Sequence, residues 1–496
     1  MPPHTTEDDA VKQDIKYLEN LSSGPDAQEL QPLGQAMWES RKILMYSLCC
    51  CIGSMLWGFD IGVNTISIAL PAFKMTFGYV YQGELVIDAT WNALWGAMTS
   101  VGMIFGGVIC GQLSDLWGRK MSIFLGAALS MVGVGVEYTA ATVGVLLAGK
   151  IINGFAMGFF LSIGPIYVSE VSPIRIRSAL IATISFFISA GQMTAIAIGN
   201  TRYAIISPSA YKVLFAAQNK IEAAEKSLQA LHTSSYDIPL ALASLRQEVI
   251  AEEDSNAEQA GQSYLDCFRG TNWRRTRIAC GMFLIQQFSG IAFYSQSLYF
   301  LGISGFSIAL SFQLALGGFG AGLLGNVLAW IAMGYTGRRS MLFNGTLINL
   351  AVLLSVGFAG IFSNDHKSAM LYIAIVVNFI QLIYASTIGA VSWSLSGEMS
   401  STALRAKTQG LCTLTNAAAN WVFSFVTPYL INTDQANLGG KAAFFWAGLT
   451  AISALWVWFE VPEIKDLSFA ELDLAFNSKT PTRRFPKAGG EQRQSA

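Results

Sequence analysis

The chain has 496 residues, 52% of them hydrophobic and only 13% charged, with 47 glycines. Soluble domains carry about 25% charged residues, so half that share, with a positive mean hydropathy and recurrent apolar runs of ~20 residues, excludes an ordinary soluble domain and implies an all-α polytopic membrane protein. The net charge of −1 singles out no partner. Placement of Lys and Arg along the chain is therefore more informative than their sum. The seven cysteines are odd in number and lie mostly in apolar runs, so they read as small core residues and not as a disulfide framework or metal site.

Residues 1–42 are polar and acidic, without a signal-peptide pattern, and read as a disordered cytoplasmic tail ending in Arg41 and Lys42. Spans are expected at 43–70, 89–111, 121–141, 143–170 and 178–200, giving an N-terminal bundle over 43–202. Between the second and third lies Gly111–Lys120, a polar stretch holding Asp115, Arg119 and Lys120. It reads as a short charged hairpin, with Gly118 permitting the reversal and the basic pair in the cytoplasm. Glu137 and Asp88 fall near span ends and read as interfacial. Residues 203–276 break the pattern: a short mixed stretch to 217, then a polar, helix-favouring linker rich in Lys and Arg. Spans resume at 277–301, 309–334, 340–362, 369–396, 408–431 and 441–461, forming a C-terminal bundle over 277–461. A polar cytoplasmic tail, 462–496, closes the chain.

The two halves echo each other. Tyr335–Arg339 is a degraded copy of the first hairpin, and Glu170 stands before Arg177 as Glu398 stands before Arg405, at the same spacing. Two similar helical halves joined by a linker follow the parallel-repeat plan of major facilitator transporters.

With these motifs the chain resembles the sugar porter family of the major facilitator superfamily over about residues 43–487. The resemblance is carried by Gly58-Phe59-Asp60, Gly111–Lys120, Pro165-x-Tyr167-x-x-Glu170-x-x-Pro173-x-x-x-Arg177, Gln286-Gln287-Phe288-Ser289-Gly290, Gly337-Arg338-Arg339, Trp393-x-x-x-x-Glu398 and Pro462-Glu463-x-Lys465. Ala69-Leu-Pro-Ala-Phe-Lys, Leu404-Arg-Ala-Lys-Thr and the tail from Phe469 are similar to the fungal α-glucoside, maltose permease-like branch of proton symporters. A pentose, hexose or lactose-type fungal permease stays open.

Asp60 is an acid inside an apolar span, costly there and so a functional candidate. The resemblance makes it the proton-coupling acid, with Lys150 where the family has its arginine partner; a lysine keeps the cation but loses the bidentate fork. The alternative is a structural ion pair or helix-end cap. Gln286 and Gln287 offer paired donors and acceptors suited to sugar hydroxyls, against the alternative of helix-to-helix bonding. Trp393 matches the family's sugar-stacking tryptophan, but the two prolines that usually bracket it are Ala390 and Ser392, which questions the bend of that helix. Asn416 matches a family asparagine; the neighbouring tryptophan is replaced by Ala417, with Trp421 one turn on. Ser185 stands where hexose porters have a glutamine, with Gln192 two turns further, and Ala292 replaces an asparagine. Asp115, Arg119, Glu170, Arg177, Arg338, Glu398 and Arg405 match the family's inner gate, or alternatively act as topology anchors. The Asn344-Gly-Thr346 sequon falls on the cytoplasmic side and reads as incidental.

The largest departure is the absence of the sixth family span. Residues 210–218 resemble its entry and those from Asn219 resemble the linker that follows it, leaving eleven full spans. With five spans before it, the linker would lie outside, and the second hairpin and basic tail would face the wrong side. The chain as written is therefore expected to transport poorly or not at all. The implied function is alternating-access carbohydrate transport, sugar:proton symport of an α-glucoside or other sugar; the alternatives are a hexose/pentose facilitator, a sugar-sensing receptor or a non-transporting truncated isoform. The expected partners are a sugar, protons and the lipid bilayer of the plasma membrane, with no nucleic acid, no cofactor beyond the coupling proton, no enzymatic activity and a monomeric state.

Overall fold

A computed structural model describes residues 41–485 except 82–83, 172–173, 203–206, 208–210, 219–262, 296–306, 363–366, 402–403, 432–435, 437, 466, 468 and 479–480. The N-terminal tail and the basic linker expected over 219–262 lie outside the described residues.

The first half contains α1 (Arg41–Ala69), α2 (Pro71–Phe77), a two-stranded antiparallel hairpin of β1 (Tyr79–Tyr81) and β2 (Glu84–Val86), α3 (Ala89–Leu116), α4 (Gly118–Thr139), α5 (Val143–Val171) and α6 (Ile174–Asn200). Residues 211–218 form a further short helix, α7. The second half contains α8 (Gly270–Phe288), α9 (Ile291–Ser295), α10 (Ile308–Tyr335), α11 (Arg338–Phe362), α12 (Lys367–Tyr384), α13 (Ala390–Met399), α14 (Arg405–Ile431) and α15 (Ala443–Glu460), with α16 (Phe469–Asn477) in the tail.

Local chemistry sets several ends. Asp88 caps α3, its carboxylate accepting from the Thr90 amide at 2.7 Å. Asp88 thus sits at a helix end, as its position in sequence suggested. Gly118 turns the hairpin between α3 and α4 at φ +80°, a region that favours glycine. Small residues let backbones approach elsewhere: a Cβ on Gly106 would overlap the Phe155 carbonyl, and one on Gly154 the Thr99 carbonyl. The Lys150-x-x-x-Gly154-x-x-x-Gly158 stripe of α5 therefore packs directly on α3, as small-residue stripes do in membranes.

α1 packs on α6, and α3 on both α5 and α14, so the α3–α14 crossing joins the halves; α6 does the same against α10 and α13. Large apolar side chains face outward, with Phe105 of α3 59% exposed and Phe459 of α15 64%. Such a belt suits contact with hydrocarbon and not with water.

Among the described residues nine helices are long and apolar enough to cross a membrane. Two further expected spans, 277–301 and 408–431, are not among these nine: α8 and α9 reach only to Ser295 of the first, residues 296–301 lying outside the described ones, and α14 covers the second. α8 carries Arg275, Gln286 and Gln287, α14 carries Lys407, Asn416 and Gln409, and all six are buried. These helices face the interior, which is why they are less apolar than their neighbours.

Among the described residues the second hairpin does not face away from the first. Both charged hairpins lie at one end of the bundle, with Arg338 of the second reaching Ser178 of α6 and Asp115 of the first reaching Lys407 of α14. Tyr264, ahead of α8, lies at this end too, its hydroxyl donating to the Val108 carbonyl at 2.7 Å. α7 lies toward the opposite end, where Tyr211 meets Phe73 and Phe77 beyond α1 and Lys212 covers the ring of Tyr138.

Candidate functional site

A central cavity of about 1200 Å3 of empty space, counting its open mouth, lies between the halves. Its walls combine Asp60 and Asn64 of α1, Ser185 and Gln192 of α6, Gln286 and Gln287 of α8, Trp393 of α13 and Asn420 of α14. A second, smaller cavity shares Asn64, Thr65, Gly96 and Ser424 with it and adds Ile68, Asn92 and Trp95. All of these lie toward the end opposite the hairpins, so the cavity leads away from the hairpin end.

The two glutamines are not equivalent. Gln286 Nε2 donates to the Gly389 carbonyl at 3.2 Å, whereas Gln287 Oε1 is buried without a hydrogen-bond partner. A buried amide oxygen that makes no bond is costly, which suits a group awaiting a hydroxyl. Just beyond, the helix breaks at Ser289–Gly290, where Gly290 takes φ +90°. The Asn349 amide donates to the Ser289 carbonyl at 2.9 Å, and the Tyr294 hydroxyl donates to that carbonyl and lies 2.8 Å from Asn349 Oδ1. These bonds satisfy the carbonyl that the break exposes and fix the glutamines' helix.

Trp393 lines the cavity, with the Phe283 ring edge-on to it at 4.8 Å. The bend expected of prolines has another source. Residues Ala385–Gly389 form a π-turn between α12 and α13, and such turns interrupt helices at functional sites. The carbonyl bonded by Gln286 belongs to the last residue of that turn.

Asn416 is buried with both amide atoms unpaired and is not among the cavity-lining residues; Asn420, one turn later, lines it and donates to Ser100 Oγ at 2.8 Å. Trp421 does not replace the missing tryptophan, being 40% exposed on the outer face beside Phe425. Ser189, Gln381, Tyr384 and Thr427 also line the cavity without having stood out in the sequence. Their helical spacing from the recognised residues, as for Ser189 after Ser185, was the available signal.

Asp60 and Lys150 meet, with Lys150 Nζ 2.6 Å from Asp60 Oδ1, and Asn153 Nδ2 donates to the same oxygen at 3.1 Å. One expectation is corrected. Glu137 is not interfacial: it is 1% exposed and lies 3.3 Å from Lys150 Nζ. Its place near a helix end is covered because α4 and α5 fold back on each other, and because Phe215 of α7 lies over Lys150, its ring centroid 5.7 Å from Nζ.

The hairpin end is closed by polar contacts. Asp115 Oδ2 accepts from Lys407 Nζ at 2.9 Å across the halves, while its other oxygen lies 3.4 Å from Arg119 Nη1. Arg119 also donates to the Ser114 carbonyl at 2.6 Å. Glu398 accepts from Ser178 and Ser394 and faces Arg338 at 3.9 Å. Arg405 is buried and Arg177 half-buried at the same end; the Glu170 side chain lies outside the described residues. Sequence reading missed Lys407 and the work of the Pro462-Glu463-x-Lys465 segment. Glu463 accepts from the amides of Arg338 and Arg339 at 2.9 and 3.1 Å, and Lys465 Nζ donates to the carbonyls of Gly334 and Tyr335 at 3.2 and 3.0 Å. One tail segment thus caps the start of α11 and the end of α10.

Residues 46–219 and 214–476 match the family described as "Sugar (and other) transporter". The chain is 32% identical over 464 residues to the "MFS transporter fmqE" of Aspergillus fumigatus, covering 87% of this chain and 85% of that one. It is 24% identical over 508 residues to a "General alpha-glucoside permease" of Saccharomyces cerevisiae, covering 96% of this chain and 82% of that one. Among solved structures, the proton:xylose symporter XylE bound to 6-bromo-6-deoxy-D-glucose aligns at TM-score 0.74 and 20% identity, covering 88% of this chain and 99% of that one. XylE from E. coli in an inward-open conformation aligns at 0.67 and 21%, covering 87% and 99%. At these identities the structural likeness concerns the fold.

Proposed function

Because this chain belongs to the sugar transporter family of the major facilitator superfamily, we propose that it carries a neutral sugar, an α-glucoside in the first instance, across the plasma membrane together with a proton. The single observation carrying the sugar reading is the cavity wall of neutral amides, hydroxyls and Trp393, in which Gln287 Oε1 lacks a partner. Amides and hydroxyls read sugar hydroxyls, and an indole face covers the apolar side of a pyranose. The α-glucoside permeases among its relatives support the substrate class. The proton reading rests on Asp60, which lines the same cavity and is bonded to Lys150. With the hairpin end closed, sugar and proton enter from the opposite end; parting of the hairpin contacts then releases both.

A radiolabelled panel of maltose, glucose and xylose, offered to a transporter-null yeast expressing this sequence, tests the proposal. Saturable uptake above the empty host, accompanied by alkalinisation of the medium, is expected. Uptake no greater than the host for every sugar would overturn it, and uptake without alkalinisation would leave a facilitator.

A second reading is favoured by α7. Eight helical residues, 211–218, stand where the family has a full span, and Gln218 is fully buried with neither amide atom bonded. A helix crossing a membrane needs about 20 residues. This reading makes the chain a slow or non-transporting form, and the same uptake assay separates the two.

A further inference from the structure

The buried cluster behind Asp60 contains one more acid than the proton reading uses. Asp60, Lys150 and Glu137 come from α1, α5 and α4, and each is 1% exposed. Two carboxyl groups thus share one ammonium in a buried site behind the cavity wall. Three full charges there would leave one negative charge uncompensated, which burial opposes strongly. One proton held by the acids removes the imbalance.

The geometry distinguishes the acids. Asp60 Oδ1 has the closer contact to Lys150, at 2.6 Å, and a second bond from Asn153, whose own Oδ1 accepts from Ser130 at 3.0 Å. Asp60 is therefore supplied with donors, as a carboxylate requires. Glu137 has Lys150 opposite one oxygen at 3.3 Å, a longer contact than the one Asp60 makes. Among the described residues the remaining charged group at this site is Lys212, which lies over the neighbouring Tyr138 ring. The element covering the cluster, α7, turns the apolar Phe215 toward it.

We propose that Glu137 is a second proton-binding carboxyl of the coupling site, sharing Lys150 with Asp60, and that it holds the proton while Asp60 stays ionised on the cavity wall. The inference rests on the symport reading for its role in transport. A proton passes from cavity water by way of Asp60 to Glu137; one O–H bond forms as one breaks, and Lys150 remains an ammonium throughout. Losing that proton gives Lys150 two ionised partners and weakens its hold on Asp60, so the proton state behind the wall alters the charge presented to the sugar.

Infrared difference spectra of the full chain in lipid vesicles, recorded as external pH is stepped through neutrality, provide the test. A carbonyl-stretch band of a protonated carboxylic acid is expected in the unaltered chain. It disappears in Glu137→Gln, shifts in Glu137→Asp, and keeps its position in Asp60→Glu. Absence of the band from the unaltered chain, or its survival in Glu137→Gln, overturns the inference; the amide band of the same samples reports folding, and Glu137→Asp retains a carboxyl if the glutamine variant unfolds. A Glu137-dependent band without sugar-driven alkalinisation would remove symport and leave the proton-binding carboxyl. Alkalinisation without such a band would do the reverse.

Discussion

Lys407 Nζ lies 2.9 Å from Asp115 Oδ2, a bond from the first turn of α14 to the last turn of α3 and so between the two halves. Lys407 is buried but the Asp115 side chain is 22% exposed, and pairs that solvent reaches contribute about 0–1 kcal/mol. Its importance lies in position: it must break whenever the hairpin end opens.

Lys407→Met is therefore predicted to shift the chain toward opening at the hairpin end by up to about fivefold, the equivalent of ~1 kcal/mol. A cysteine introduced on the cavity wall, probed with an impermeant thiol reagent from the hairpin side, reads this. Equal labelling in both forms would count against the contact as a latch.

Gln286 and Gln287 should separate in their effects. Gln287→Ala removes an unbonded carbonyl and is expected to weaken sugar binding by ~1–3 kcal/mol with little change in melting. Gln286→Ala also removes the bond to Gly389 and should lower both. Calorimetric binding and thermal unfolding of the two variants decide the matter; identical behaviour would contradict the assignment.

Trp393→Ala is predicted to raise the half-saturation for sugar about tenfold, ~1.4 kcal/mol, and Trp393→Phe by less, since phenylalanine keeps a flat apolar face. The comparison is made by uptake kinetics. A larger loss for phenylalanine than for alanine would argue against stacking.

Glu463→Ala should destabilise the fold by about 1–2 kcal/mol through loss of a helix cap, seen as a lower melting midpoint in detergent. Glu463 also accepts from the amides of Ile464 and Lys465, so an unchanged midpoint is incompatible with the cap described.

Burial pushes the Cys267 thiol up from its ordinary value, with the neighbouring Thr408 hydroxyl opposing this weakly. A thiol whose folded pKa is raised stabilises the fold below the unfolded pKa, and that contribution is lost as pH rises toward the folded one. Maleimide labelling of folded Cys267 should therefore be slower than that of the unfolded chain and keep rising past about pH 9, where labelling of the unfolded chain levels off. Parallel curves would show that the thiol is not sheltered.

The sequence carried the helical architecture because apolar runs and charged turns are local signals, and it carried Asp60, Gln286, Gln287 and Trp393 because their motifs are contiguous. Glu137 was misread for a physical reason: proximity to a helix end predicts exposure only if nothing covers that end, and Lys150 and Phe215 approach from other parts of the chain. Asn420 was passed over for Asn416 because which helix face meets the cavity depends on packing. Glu463 is invisible as a cap until the tail folds back across more than a hundred residues onto Arg338.

The π-turn at Ala385–Gly389 differs in kind from the proline bends it replaces. A pyrrolidine ring fixes its kink covalently, whereas a π-turn is one surplus residue held by hydrogen-bond register. Relaxing that register would rotate the helix beyond it, and Trp393 with it, by about 100° around its axis. The bond from Gln286 to Gly389 then acts as a pawl on a ratchet: a side chain that lines the cavity also holds the indole at its present angle.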